Sequence, residues 1–231
     1  MTSRLHSLCI DALDPAGLAA FWAGVLRREP ADAVTLLPAD DTGFPLRFQP
    51  TSVPKQLRNR MHFDLTSSSL DDQQATVARA LELGGRHLDV GQRPEEGHVV
   101  LADPDGNEFC VLPPGNAFLA GCGFLGALSC DGSHQVGSFW SEALGWPLVW
   151  DQDEETAIQA PYGGPKITWG GPPVMPKPPR NRMRLDLASD GDQQAEVDRL
   201  VGLGATRVDG GPGDRVELAD PEGNEFGVLP R

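Results

Sequence analysis

The most regular alternation of apolar and polar positions falls in two short segments that resemble each other. In "RMHFDL", residues 60–65, apolar side chains alternate with Arg60, His62 and Asp64. The segment "RMRLDL", residues 182–187, repeats this alternation. A period of two residues is typical of a β-strand that rests one face on a core. Each segment is therefore predicted to be a strand with an apolar face on a helix and a polar face toward solvent or a cavity.

Apolar positions three or four residues apart predict a helix near the start of each half of the chain. The first helix begins at Asp14, a suitable N-cap, with Pro15 at the first helical position, and ends near residue 27. The second begins at Ser133. Each helix carries a Phe–Trp pair on its apolar stripe, at 21–22 and 139–140, so we expect these aromatic side chains to be core residues.

A second helix and then a β-hairpin are predicted to follow each alternating strand. The helices should end at Gly84 and Gly204, because glycine accepts the left-handed conformation that often closes a helix. The hairpins are "HVVLADPDGNEFCVL", residues 98–112, and "RVELADPEGNEFGVL", residues 215–229. Their Asp-Pro-Asp/Glu-Gly-Asn centres have the composition of tight turns.

These pairs of similar segments show that the chain is an internal repeat. "NRMHFDL" at 59–65 returns as "NRMRLDL" at 181–187, and "DQQ" at 72–74 returns at 192–194. The order is kept and the spacing stays at about 120 residues, which indicates two homologous domains. We place them at residues 1–114 and 122–231, joined by "PPGNAFLAGC", which has the Pro and Gly content of a linker.

Alternation also predicts which side chains share the polar face of each copy. On the hairpin, His98, Glu108 and Cys110 lie on the face opposite the apolar positions. If the first strand presents His6 to the same side as His62, five residues converge in copy one. They are His6, His62, His98, Glu108 and Cys110, and copy two has Phe124, Arg184, Arg215, Glu225 and Gly227 in their places. The sequence therefore predicts a duplicated fold with unequal chemistry.

Composition narrows the classes of partner. The net charge of −14 repels phosphate backbones and anionic membrane surfaces, so we expect neither nucleic acid nor a membrane as partner. The four cysteines form no CxxC pair. No apolar run is long enough to span a membrane, and the first residues lack the pattern of a signal peptide. These features predict a cytoplasmic protein with reduced thiols.

The combined motifs resemble the vicinal oxygen chelate (VOC) superfamily, in its glyoxalase-like branch. The resemblance is carried by the first helix start, by "NRMHFDL", by "LADPDGNEFCVL" and by their second copies. It implies an α+β fold with two tandem glyoxalase/bleomycin-resistance/dioxygenase-type domains. Each domain would be two βαβββ modules whose mixed strands curl into a cup, and the two domains would pair within one chain or across a homodimer.

Metal-dependent members of this superfamily hold one divalent ion in the cup. The resemblance places His6 and His62 at two of the ligand positions, while Cys110 stands where the third ligand is usually Glu. Glu108 lies two residues earlier on the same strand face. Two imidazoles with a carboxylate suit Fe, Mn or Ni, and two imidazoles with a thiolate suit Zn. The corresponding positions of copy two hold no such set.

Two functions remain open from the sequence. In the first, the cup of domain one binds a small organic molecule through these five residues, and its metal site is degenerate. In the second, the protein is a divalent-metal-dependent lyase, isomerase or dioxygenase that uses His6, His62 and Glu108 or Cys110. His62 and Glu108 are the candidate catalytic groups, as metal ligands or as a general acid and base.

Overall fold

The computed structural model describes residues 3–208 and 213–230. Within them the chain forms four α-helices and two mixed eight-stranded sheets. The helices are α1 (Pro15–Leu26), α2 (Leu70–Glu82), α3 (His134–Leu144) and α4 (Gln193–Gly202), with a short 3-10 turn at Pro94–Glu96. The strands are β1 (Arg4–Ala12), β2 (Pro30–Asp32), β3 (Thr35–Leu36), β4 (Leu46–Pro50), β5 (Met61–Leu65), β6 (Arg86–His87), β7 (Val99–Ala102), β8 (Glu108–Val111), β9 (Leu125–Cys130), β10 (Leu148–Gln152), β11 (Glu155–Ile158), β12 (Lys166–Trp169), β13 (Met183–Ala188), β14 (Thr206–Val208), β15 (Val216–Ala219) and β16 (Glu225–Leu229).

The element order gives four successive βαβββ modules, two in each copy of the repeat, as predicted. Sheet A has the strand order β14-β15-β16-β13-β1-β4-β3-β2, and sheet B has the order β10-β11-β12-β9-β5-β8-β7-β6. Sheet A therefore combines the first and fourth modules, and sheet B combines the second and third. Each sheet draws one module from each copy, so the copies predicted at 1–114 and 122–231 each contribute four strands to both sheets.

Two antiparallel ladders join the copies at the middle of the sheets. In sheet A, β1 runs against β13, with Leu8 opposite Leu185. In sheet B, β5 runs against β9, with Phe63 opposite Leu128. All four of these side chains are buried in one continuous apolar core with the helices. The pairing of the copies within the chain is thus part of both sheets.

The predicted local patterns are confirmed. In β5 the apolar side chains of Met61, Phe63 and Leu65 are buried while His62 and Asp64 are half-buried on the opposite face. The carboxylate of Asp14 caps α1 by accepting from the backbone N–H of Gly17 at 3.0 Å. Glycines 84 and 204 have φ values of 103° and 117°, in the left-handed region that closes a helix.

The first strand departs from the predicted alternation. Counting by two along the strand puts His6 on the same face as Leu8 and Ile10, but both of those side chains are fully buried and His6 is exposed. The reason is a β-bulge, because the register of β1 against β13 shifts between Leu5 and Ser7. An inserted residue at that point reverses the sidedness that counting by two assigns.

The Phe–Trp pairs are core residues, as predicted. The indole of Trp22 packs edge-on against Phe63 and Phe109, and its N–H donates to the buried carboxylate of Asp103 at 3.1 Å. In copy two the indole of Trp140 donates to Asp220 at 3.3 Å. The first Asp of each repeated turn is therefore a buried acceptor that fixes an aromatic ring of the first helix.

The third residue of each turn belongs to an ion pair between the copies. The guanidinium of Arg182 lies 2.8 Å from Asp105 and also donates to the carbonyls of Val53 and Asp11. The corresponding Arg60 lies 4.0 Å from Glu222, the third residue of the second turn, and donates to the carbonyl of Met175 and the side chain of Asn224. These reciprocal contacts hold each turn against the other copy.

Replacing Arg182 by Met should destabilise the protein by about 3 kcal/mol, because the nearly buried Asp105 carboxylate loses its counter-charge. The free energy of unfolding in urea measures the loss. Arg207→Met is the matched control, since the pair of Arg207 with Asp198 is largely exposed and should contribute less than about 0.5 kcal/mol. Equal losses in the two variants would contradict the role of Arg182.

Candidate functional site

The structure does not bring the five predicted residues of copy one together. His6 belongs to sheet A, whereas His62, Glu108 and Cys110 belong to sheet B. The expected convergence of His6 with His62 is therefore wrong, because the two modules of copy one contribute to different sheets. His6 lies near Arg47 and Asp186, and partial burial of its ring together with the charge of Arg47 lowers the pKa of His6.

Glu108 lies on the predicted face but its carboxylate is already engaged. It forms an ion pair with Lys55 and accepts from the backbone N–H of Asn59 at 3.3 Å. These partners lie on the loop that leads from sheet A to β5. The carboxylate of Glu108 thus fixes that loop against β8.

Glu225 makes the same contacts in copy two. Its carboxylate lies 2.7 Å from Lys177 and accepts from the backbone N–H of Asn181 at 3.2 Å. The same interaction occurs in the copy that lacks candidate ligands. The repeated Glu is therefore explained by its contact with the loop before β5 or β13. This geometry gives Glu108 a structural role that the sequence prediction did not include.

His98 immediately precedes β7, which lies two strands away from β5 and therefore from His62. Its carbonyl accepts from the side chain of Gln92. In the ladder between β7 and β8, Val100 lies opposite Cys110, so His98 is two residues further along the strand direction. The structure therefore places His98 beyond the group formed by His62 and Cys110.

A compact group of three different donors occupies the polar face of sheet B. The ligand atoms of His62, Asp64 and Cys110 all lie within 4.8 Å of one another. The imidazole Nε2 of His62 is 3.5 Å from Asp64 Oδ1. Cys110 belongs to the group because β5 and β8 are parallel neighbours with Asp64 opposite Cys110.

Copy two completes this face with hydroxyl groups. The hydroxyl of Ser129 on β9 donates to Asp64 at 2.5 Å, and Thr168 on β12 donates to Ser129 at 3.3 Å. The same row across the sheet continues through Ala157 to Trp150. The site is therefore built from four adjacent strands, two from each copy.

The protonation states follow from these contacts. Burial acts to lower the pKa of His62, but hydrogen bonding with Asp64, hydrogen bonding with Cys110 and the charge of Asp64 outweigh it and raise the pKa to about 10. Burial acts to raise the pKa of Asp64, and the contacts with His62 and Ser129 reverse this to a net lowering. Burial raises the pKa of Cys110. At neutral pH the group is an imidazolium–carboxylate pair beside a neutral thiol.

The corresponding face of sheet A is filled by ion pairs. The guanidinium of Arg184 makes two hydrogen bonds to Asp11, at 2.7 and 2.8 Å, and its side chain is only 1% exposed. Arg215 lies 2.8 Å from Asp186, and both side chains are buried. The thiol of Cys9 donates to Asp186 at 2.8 Å, and burial with that neighbouring carboxylate raises the pKa of Cys9 to about 12.

Glycine at 227 is required by this packing. A β-carbon added there would lie 2.0 Å from Nε of Arg215 and 2.4 Å from Oδ1 of Asp186. The side chain of Arg215 therefore occupies the space that Cys110 fills in the other sheet. With cysteine at this position, sheet B has a partly exposed group of donors. With glycine there, sheet A has a buried Arg215–Asp186 pair in the same space.

Sequence reasoning did not select Asp64 as a candidate ligand. Asp64 stands two residues after His62 on the same strand face, so alternation already placed the two side chains side by side. The same spacing places Asp186 beside Arg184 in copy two. The ligand positions implied by the resemblance are His6, His62 and the last strand of the hairpin, and they do not include Asp64.

Comparison with known proteins assigns the family. The model of the glyoxalase-like domain matches residues 7–112 and again residues 127–229. The chain therefore belongs to the glyoxalase-like domain family of the VOC superfamily, as a tandem pair. No curated protein matches the sequence significantly.

Solved structures with this fold include two that span nearly the whole chain. Glyoxalase I from Zea mays is 13% identical and superimposes with a TM-score of 0.66, over 99% of this chain and 92% of that protein. A protein described as a "putative dioxygenase" from Bacillus subtilis subsp. subtilis str. 168 is 14% identical, with a TM-score of 0.61 over 99% and 85%. At such identities the likeness shows the fold alone. Among the described residues, no helix has the length and apolar character needed to cross a bilayer.

Gly227→Ala should destabilise the protein by about 2 kcal/mol, because the methyl group collides with the buried Arg215–Asp186 pair. Urea unfolding of the purified variant measures this. Gly202→Ala is the control, since a β-carbon there meets no heavy atom within 4 Å, and it should leave stability unchanged or slightly raised. A neutral Gly227→Ala would show that Arg215 does not hold this space.

In protein kept free of metal by EDTA, the imidazole of His62 should titrate far above 6.5, and Asp64→Asn should lower its pKa. Because the folded pKa exceeds the unfolded one, the stabilisation from protonated His62 is complete below pH 6.5 and is lost as the pH rises through about 10. NMR titration of the ring protons measures the pKa. Asp71→Asn, which removes an exposed carboxylate on α2, is the control and should leave His62 unchanged.

Proposed function

We propose that this protein binds a small organic molecule on the polar face of sheet B, with His62, Asp64 and Cys110 as its polar contacts. The observation that supports this most directly is the unequal state of the two faces. The His62 side chain is 36% exposed and Asp64 is 17% exposed. On sheet A the corresponding Arg184 and Asp186 are each 1% exposed and paired.

The chemistry of the sheet B group defines the kind of ligand. The imidazolium donates hydrogen bonds, the carboxylate accepts them, and the thiol is a weak donor. In a ligand with neighbouring hydroxyl and carbonyl groups, the carbonyl oxygen can accept a hydrogen bond from His62 and the hydroxyl group can donate one to Asp64. The half-buried indole of Trp150 at the end of the same row offers an aromatic surface to the rest of such a molecule.

A divalent ion is the second candidate occupant, favoured by the donor set itself. One nitrogen, one oxygen and one sulfur ligand within 4.8 Å need only a modest contraction to reach the donor separations of about 3.3–3.8 Å of a tetrahedral zinc site. The residues present therefore suit a zinc-type ion better than they suit Fe, Mn or Ni, which two histidines and one glutamate would favour. His62, Asp64 and Cys110 would hold it once the ion had displaced the protons of the imidazolium and the thiol, and a bound ion would supply Lewis-acid polarisation of a ligand oxygen.

The residues of this chain also prescribe how a proton is handled in such a site. The hydroxyl of Ser129 donates to Asp64, so that carboxylate stays ionised and oriented toward His62. His62 then holds the proton at the point where a ligand oxygen meets the sheet. In the site without an ion, this arrangement suits proton transfer to or from a bound ligand. The four free cysteines agree with the cytoplasmic compartment that we propose.

The test is a thermal-shift screen of EDTA-treated protein against phenols, hydroxy acids and diketones. A compound that binds should raise the melting temperature by several degrees at a hundredfold excess over its Kd, which corresponds to about 2.7 kcal/mol. His62→Ala should lose the shift. His87→Ala, an exposed histidine on β6, should keep it.

The same screen in chelator-free buffer with Zn(II), Fe(II), Mn(II) or Ni(II) separates the two occupants. If an ion binds, His62→Ala and Cys110→Ser should lose its stabilisation, while His6→Ala should retain it because His6 lies in sheet A. If His6→Ala lost the stabilisation by metal, His6 would be a ligand together with His62, as the resemblance implies. No shift with any compound or ion would contradict the proposed site.

A further inference from the structure

A cavity of about 250 Å³ lies between two corresponding loops, away from the donors of sheet B. One loop, residues 51–59, leads into β5, and the other, residues 178–182, leads into β13. The walls are mainly apolar and are formed by Val53, Pro54, Leu57, Pro178 and Pro179. Val53 and Leu57 are 57% and 47% exposed, so the apolar wall of the cavity is open to solvent and to a ligand.

The charged side chains that line this cavity already have partners of opposite charge. The pairs are Asp11–Arg184, Lys55–Glu108, Arg180–Glu217 and Arg182–Asp105. An ionic ligand would therefore enter without a free counter-charge and would lose its hydration. The lining favours an uncharged molecule.

The cavity is held open by contacts at both ends of its first loop. The backbone N–H of Thr51 donates to the carbonyl of Ala12 at 2.9 Å, and that of Asn59 donates to Glu108. The prolines of the two loops restrict the backbone further. Walls that are ordered before binding reduce the entropy that a ligand must offset.

We propose that this cavity is a second ligand site, which takes an uncharged, largely apolar molecule of the size of two or three fused or linked rings. The site involves neither His62 nor Cys110, so it does not rest on the function proposed for sheet B. A cavity with apolar walls and a few fixed polar groups is the usual form of a small-molecule site.

The experiment uses N-phenyl-1-naphthylamine, an uncharged fluorophore that brightens when it leaves water, with the full-length protein. We expect saturable binding of one probe per chain. The matched anionic probe, 8-anilino-1-naphthalenesulfonate, has the same rings with a sulfonate and should bind at least about tenfold more weakly. Absence of saturable binding, or equal affinity for the two probes, would overturn the proposal.

Variants locate the probe. Leu57→Asp puts a carboxylate in the apolar wall and should raise the Kd of the neutral probe at least about tenfold, a change of about 1.4 kcal/mol. Leu70→Asp makes the same substitution at a more exposed leucine on α2 and should leave the Kd unchanged. His62→Ala should also leave it unchanged. Retained affinity in Leu57→Asp, or loss in either of the other two variants, would place the probe elsewhere.

Discussion

The two antiparallel ladders that join the copies, β1 with β13 and β5 with β9, determine which side chains can meet. Each ladder lies at the centre of a sheet, so the neighbours of every strand on the polar face come partly from the other copy. His62 consequently lies opposite Ser129, and Ser7 lies opposite Asp186. A residue's position in its own copy does not identify its neighbours, because the two modules of a copy belong to different sheets.

The repeated turn motif is best understood as a set of structural contacts. Its first Asp accepts from an indole, its third residue interacts with the other copy, and its Glu holds the loop before β5 or β13. Because these carboxylates make the same contacts in both copies, their repetition needs no shared activity. The chemistry differs two residues after the Glu, where one copy has Cys110 and the other has Gly227. The repeated motif therefore keeps the same structural contacts in both copies, and the residue two positions after its Glu makes the polar faces of the two sheets different.

Local structure could be predicted from the sequence because it depends on nearby residues. The helix start at Asp14, the closing glycines and the two faces of β5 all follow from spacing and backbone preference. The bulge at His6 could not be predicted, since an inserted residue leaves no mark on an apolar pattern of Leu8 and Ile10 alone. The pairing of β5 with β9 was also hidden, because periodicity states which face a side chain occupies and not which strand lies beside it. The contact of Ser129 with Asp64 depended on that missing information.

The contrast between the two faces follows from the cost of burying charge. On sheet A, Arg184 and Arg215 are almost fully buried, and each must keep a carboxylate within contact distance or lose several kcal/mol. Asp11 and Asp186 are therefore both paired with arginine, and Arg215 leaves room only for glycine at position 227. On sheet B the group contains a single imidazole with one carboxylate and a neutral thiol, so the charges balance without filling the face. The polar groups there remain partly accessible to solvent, and for that reason we propose sheet B as the face that binds a ligand or an ion.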